Sequence, residues 1–187
     1  MSRRLEPHRP VDLDDAQRRV YEAVAGGRRA QGPQAFPLTD DDGSLRGPFD
    51  AFLLSPPVGH ALQELGAAVR FGSGLTDRVR EIAILAVAAR ERCAFERQAH
   101  EAVGRTIGLD DAQLQALADE SDPAGLDDHE TAALTLVRSL LDGDVDEHTW
   151  VQVAGVLGER TVFELTTVVG YYRMLALQLR VFRVDDA

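Results

Sequence analysis

The chain has 187 residues, a formal net charge of −11, and 44% hydrophobic and 27% charged residues, a balance that suits one globular domain able to fold without metal or disulfide staples. Its acidic excess opposes binding to nucleic-acid backbones and anionic lipid surfaces. All twenty basic residues are arginine, which excludes a lysine Schiff base and a lysine-dependent phosphate loop; the single cysteine, Cys93, can close no internal disulfide.

Residues 1–12, rich in Pro and Arg, read as an arm without helical period. The start lacks the apolar core of a signal peptide, and the longest apolar runs, such as residues 82–89, fall short of the roughly 20 residues that cross a bilayer. A cytoplasmic chain with no membrane segment is expected. Leu13-Asp14-Asp15-Ala16-Gln17 supplies an N-cap and a short amphipathic helix that stops at Gly26-Gly27. Residues 28–47, dominated by Gly, Pro, Asp and Ser, predict a long loop with little to pack against, mobile and bordering a pocket. Ser55-Pro56-Pro57 opens the next helix, with Val58, Leu62, Leu65, Ala68 and Val69 three and four residues apart, ending near Gly72.

Thr76 or Asp77 caps a helix that is apolar on almost every side through Val79, Ile82, Ala83 and residues 85–88, and this should be the most buried one. The helical pattern resumes from Cys93 to Ile107, before Gly108. Further helices are predicted from Asp110, from Asp127 or Asp128, from Asp146, and from Glu159 or Thr161 through Leu179. No segment alternates in the manner of a strand, so the fold class is an all-α helical bundle. A faint internal two-fold repeat runs through it: Leu13-Asp14-Asp15 is echoed by Leu126-Asp127-Asp128, and the segment around Glu81 by that around Glu164. An equal offset sets Ala176, Leu179 and Arg183 against Cys93, Glu96 and His100, so only the first half keeps reactive side chains.

Glu81 lies inside an apolar helix, where a carboxylate must find a partner or take up a proton. Cys93, Glu96 and His100, three and four residues apart, share one face of a helix. Glu81 precedes Cys93 by twelve residues, about 120° off that face on a continuous helix, so a break near residues 90–92 is needed to bring it back. Of the other histidines, His60, His129 and His148 read as having no carboxylate or thiol at metal-ligand spacing and His8 lies in the terminal arm, so no metal site is expected. Of Tyr171 and Tyr172, adjacent on the last helix, at most one can reach such a pocket, and core packing is the expected role of both.

Arg80-Glu81-Ile82-Ala83-Ile84-Leu85, Cys93-Ala94-Phe95-Glu96-Arg97-Gln98-Ala99-His100 and Gly108-Leu109 together resemble the carboxymuconolactone decarboxylase and alkylhydroperoxidase D-like superfamily. The resemblance takes the chain as a single domain over residues 1–187, with a family-like core at 48–182. It implies a bundle whose central helical hairpin carries the site, assembled as a homo-oligomer. Glu81, Cys93 and His100 match the peroxidase branch, but Glu96 stands where that branch has its second cysteine; Glu96 and His100 match the glutamate–histidine pair of the decarboxylase branch.

The implied activity is a cofactor-independent decarboxylase, or a related proton-transferring lyase or isomerase, acting on a small carboxylated lactone or similar conjugated acid. His100 would be the acid, oriented by Glu96, with Glu81 relaying protons and no cofactor required. The alternatives are a Cys93-dependent peroxidase served by an external thiol and a non-catalytic oligomeric binding protein. A small-molecule substrate and copies of the chain itself are the expected partners, with nucleic acid and membrane excluded.

Overall fold

Capping chemistry fixes where most of the helices begin. The computed structural model describes residues 3–31 and 36–184, and the chain divides into two compact units, Met1–Gly72 with Leu177–Ala187, and Ser73–Ala176.

In the first unit α1 (Asp15–Ala25) starts at a capping box: the Asp14 carboxylate accepts the Ala16 and Gln17 amides while the Gln17 side chain accepts the Asp14 amide. α2 (Pro56–Phe71) opens on proline, which lacks the amide that a first turn leaves unbonded anyway. Gly59 lets α2 approach the short 3₁₀ turn Ala51–Leu54, because a Cβ there would stand 2.1 Å from the Phe52 carbonyl oxygen. Val20, Val24, Leu45, Phe52 and Leu53 form the interior.

The described part of residues 28–47 packs more than its composition predicts. Residues 32–35 lie outside the described part. The remainder holds a 3₁₀ turn at Arg28–Ala30 and a tight reversal, with Thr39 bridging Leu45 and the Arg46 amide donating to the Leu38 carbonyl. Leu45 and Ser44 are wholly buried and the Tyr21 hydroxyl donates to the Gly43 carbonyl. Composition registered the turn residues and missed that one leucine and one tyrosine suffice to anchor them. Beside it, Asp50 is fully buried; its carboxylate accepts from Arg3 Nη2 at 2.9 Å and from the His8 backbone amide at 3.1 Å, with His8 Nδ1 at 3.2 Å.

The second unit contains α3 (Asp77–Arg90), α4 (Ala94–Thr106), α5 (Asp111–Ala118), α6 (Asp128–Asp142) and most of α7 (Glu147–Phe182). Thr76 caps α3, and capping boxes built on Asp110 with Gln113 and on Asp127 with Glu130 open α5 and α6. α7 is interrupted at Gly158, whose φ of 73° no helix accommodates, so the two helix starts read near Asp146 and Glu159 are both present. α3 is buried at every position from Val79 to Ala88 and packs against α4, α5 and α6, which makes it the axis of this unit. Among the described residues there is no strand, and no helix is long and apolar enough to cross a membrane. The fold is an all-α bundle.

Candidate active site

α3 and α4 form the hairpin that carries the site, and the turn between them decides its geometry. The Arg92 amide donates to the Ala89 carbonyl and the Cys93 amide to the Ala88 carbonyl, with Arg92 at φ 52°. This is the Schellman pattern in which the residue past the cap turns left-handed. Glycine is the usual occupant; arginine there costs about 1–2 kcal/mol of backbone strain. The left-handed residue ends α3, and α4 starts two residues later with Cys93 as its N-cap. The break that the spacing of Glu81 and Cys93 requires is therefore at Arg92.

Glu81, Glu96 and His100 meet. Glu81 Oε2 lies 2.6 Å from His100 Nδ1, and Glu96 Oε2 lies 3.3 Å from His100 Nε2. All three residues are buried, Glu81 completely. Arg80 Nε stands 3.5 Å from Glu81 Oε1 while its Nη2 donates to Asp77, so a permanent cation sits at the far oxygen of Glu81. Burial, the largest influence on His100, disfavours the imidazolium; the charge and hydrogen bond of Glu81, followed by the contacts of Glu96, outweigh it and hold the imidazole up to about 9. At neutral pH His100 is a cation clamped between two carboxylates, an arrangement that stores a proton in a dry site.

Tyr172 lies edge-on to the His100 ring, 5.2 Å between centroids at 87°, and Tyr171 packs edge-on to Tyr172 at 5.4 Å. Of the two, it is Tyr172 whose ring contacts the cluster, closing one side of His100 with aromatic surface. Glu164, the counterpart of Glu81 in the faint repeat, is spent on structure: its carboxylate accepts the Gly74 amide and the Arg160 Nε–H.

Cys93 has a different setting. As the N-cap of α4 it is outside the helix whose face it was expected to share, and it is almost wholly buried at the wall of a cavity of about 290 Å³ formed with Arg92, Arg97 and four alanines of α3, α4 and α5. Arg97, next to Glu96, points about 100° away from it around α4, which is why one helix serves both the cluster and this cavity. Sequence reading passed over Arg92 and Arg97; the signal for Arg92 was the need for a left-handed residue in a stretch without glycine.

Residues 56–139, somewhat under half of the chain, match the Carboxymuconolactone decarboxylase family. Over that segment the chain is similar to this family. Sequence comparison with curated proteins finds no match. Among solved structures, a protein of unknown function from Agrobacterium tumefaciens, proposed as the antioxidant-defence protein AhpD, superposes with a TM-score of 0.65 at 17% identity, covering 74% of this chain and 96% of that one. The debrominase Bmp8 superposes at 0.71 with 11% identity, covering 95% and 88%. A cysteine-to-alanine variant of that debrominase, in complex with 2,3,4-tribromopyrrole, gives 0.70 at 10% identity, covering 98% and 91%. These likenesses establish the fold.

Proposed function

We propose that this protein is a cofactor-independent decarboxylase, or a related proton-transferring lyase or isomerase, acting on a small carboxylated lactone or a similar conjugated carboxylic acid. The observation that carries this reading is the buried imidazole held between Glu81 and Glu96. When the substrate's C–C bond to its carboxylate breaks, CO₂ departs and the electron pair passes into the conjugated carbonyl as an enolate. That enolate needs a proton, and His100, raised to about 9, holds one that the more basic enolate can take.

The distances favour the opposite division of the supporting roles from the one that the resemblance implies. Glu81, at 2.6 Å on Nδ1, is the group that fixes the ring; Glu96, at 3.3 Å on Nε2, is the looser contact. In this reading Nε2, the less tightly held nitrogen, delivers the proton, and Glu96 either passes it on or gives way to substrate. Burial removes competing water and strengthens the field of each carboxylate on the ring.

The test is CO₂ release from a panel of carboxylated lactones and conjugated acids by the parent protein and by His100→Gln. Release by the parent that the variant has lost supports the reading. No release from any member of the panel, with peroxide consumption that depends on Cys93, would replace it with the second reading.

That second reading is thiol chemistry at Cys93, favoured by the cavity against which the sulfur sits. A thiolate would take the distal oxygen of a hydroperoxide, releasing the alcohol and becoming a sulfenic acid; two equivalents of an external thiol would return it to thiol, with water and a disulfide as products. The debrominase neighbour was crystallised with a brominated pyrrole after a cysteine had been replaced by alanine, which is the reason to include halogenated aromatics in the same assay. A homo-oligomer remains part of the proposal, and light scattering at about the 20.4 kDa of one chain over a wide concentration range would remove it.

A further inference from the structure

The cavity at the head of α4 uses residues other than Glu81, Glu96 and His100, and its charge is out of keeping with the rest of the unit. The chain carries a net charge of −11, and every other arginine between residues 73 and 176 stands at ion-pair distance from a carboxylate. Arg92 alone among them has no such partner among the described residues, and it lies on this cavity's wall. Arg97, on the same wall, is committed to Glu101 only through its Nε. Arg92 also occupies a left-handed position of the kind that Gly108 fills beyond the end of α4, so the chain keeps a guanidinium where its backbone would favour glycine. The remaining lining is the Cys93 sulfur and the methyl groups of Ala88, Ala89, Ala94 and Ala118.

We propose that this cavity binds a small organic carboxylate, its charge held by Arg92 and Arg97 and its apolar body laid on the alanine wall beside Cys93. The volume of about 290 Å³ matches the lower end of small-molecule sites, roughly 300–1,000 Å³, and suits a compact acid. An inorganic anion would satisfy the guanidinium groups and leave the methyl-lined wall uncovered. The N-terminal end of α4, with no side-chain cap on its first turn, adds a favourable dipole for the same charge. This inference does not depend on the proposed turnover at His100.

The chain's one cysteine makes the test direct. The intact protein is treated separately with iodoacetate and iodoacetamide, and alkylation of Cys93 is followed by mass. In either reaction the sulfur forms a bond to carbon as the carbon–iodine bond breaks and iodide leaves. Two guanidinium groups steering the anionic reagent should raise the iodoacetate-to-iodoacetamide rate ratio about tenfold or more over that of a small thiol in solution. Arg92→Gln and Arg97→Gln should each lower the ratio, and benzoate should protect Cys93 in the parent protein, a measurement that needs no variant. His100→Gln should leave the ratio intact, which separates this site from the proposed chemistry. Resistance of Cys93 to both reagents, a ratio equal to that of the solution thiol, a ratio that survives both arginine substitutions, or protection by inorganic phosphate equal to that by benzoate would each overturn the proposal.

Discussion

Two fully buried carboxylates in this protein each face a histidine, and they have opposite characters. Asp50, in the first unit, is held by the Arg3 guanidinium and by the His8 backbone amide, with the His8 ring at 3.2 Å. Glu81, in the second, has the His100 ring at 2.6 Å and the Arg80 guanidinium at the longer 3.5 Å. Asp50 is satisfied by donors that never change charge, so its histidine is an accessory. Glu81 relies on a group that titrates, and a second carboxylate, Glu96, competes for the same ring. A buried charge is therefore not in itself a sign of chemistry. What separates an anchor from a site is whether its principal partner can give up a proton.

The sharpest way to break this comparison is to remove the titrating partner. His100→Gln keeps an amide that can donate to Glu81 and cannot deliver a proton, so turnover in the CO₂ assay should fall by about 10²–10⁴-fold, the usual worth of general acid catalysis. Loss of less than about tenfold would make His100 a structural residue like His8. Glu96→Gln should cost less, about tenfold, because the ring stays fixed by Glu81.

Exchanging charge for amide at the two carboxylates comes next. Asp50→Asn should leave turnover unchanged and lower stability by about 2 kcal/mol in urea unfolding, since charge-assisted hydrogen bonds are worth about 1.5–3 kcal/mol. Glu81→Gln should reduce turnover strongly and shift its pH profile, because His100 loses the larger of its two stabilising charges. Equal effects of both substitutions on turnover would erase the distinction.

How much of this was legible in the sequence follows the same division. The helices were readable because their signals are local: Asp14 with Gln17, Thr76, Asp110 with Gln113, Asp127 with Glu130, and Pro56 all act within one turn of the residues they cap. The spacing of Glu81 and Cys93 even demanded the break at residues 90–92. Asp50 was passed over although it carries the mark that singled out Glu81, a carboxylate flanked by apolar residues, here Phe49, Phe52 and Leu53. Its partners are 42 and 47 residues away in the arm, and no periodicity reaches that far. Which ring nitrogen each of Glu81 and Glu96 meets was likewise not recoverable, since i,i+4 spacing gives proximity alone.

Acid–base linkage supplies a finer test. The folded-state value for His100, about 9, lies above its ordinary 6.5, so the protonated ring stabilises the fold fully below about pH 6.5 and loses that contribution as pH rises through 9. A displacement of this size corresponds to at most about 3 kcal/mol. Unfolding at pH 6 and at pH 10 should show the parent protein losing more stability than His100→Gln, which lacks the titrating group. Turnover should decline over the same alkaline range as the acid is depleted. An identical loss in parent and variant would mean that the ring is not protonated in the fold.

The smallest expected effect belongs to His8→Gln, and it is the control on which the comparison rests. His8 contributes its backbone amide to Asp50 whatever its side chain, and Arg3 keeps the other carboxylate oxygen. What the substitution removes is a 3.2 Å ring contact on a side chain that is 22% exposed, where water can replace it. The cost in urea unfolding should be below about 1 kcal/mol, the range of a partly solvated pair, with turnover unaltered. The pH dependence of stability should follow that of the parent protein, including the loss between pH 6.5 and 9 that His100→Gln removes. A cost above about 2 kcal/mol, or a flattened pH profile, would show that Asp50 depends on its histidine as Glu81 does. The two carboxylates would then have to be distinguished by what surrounds them, the paired arginine and backbone amide on one side and the competing Glu96 on the other, rather than by the titration of their partners.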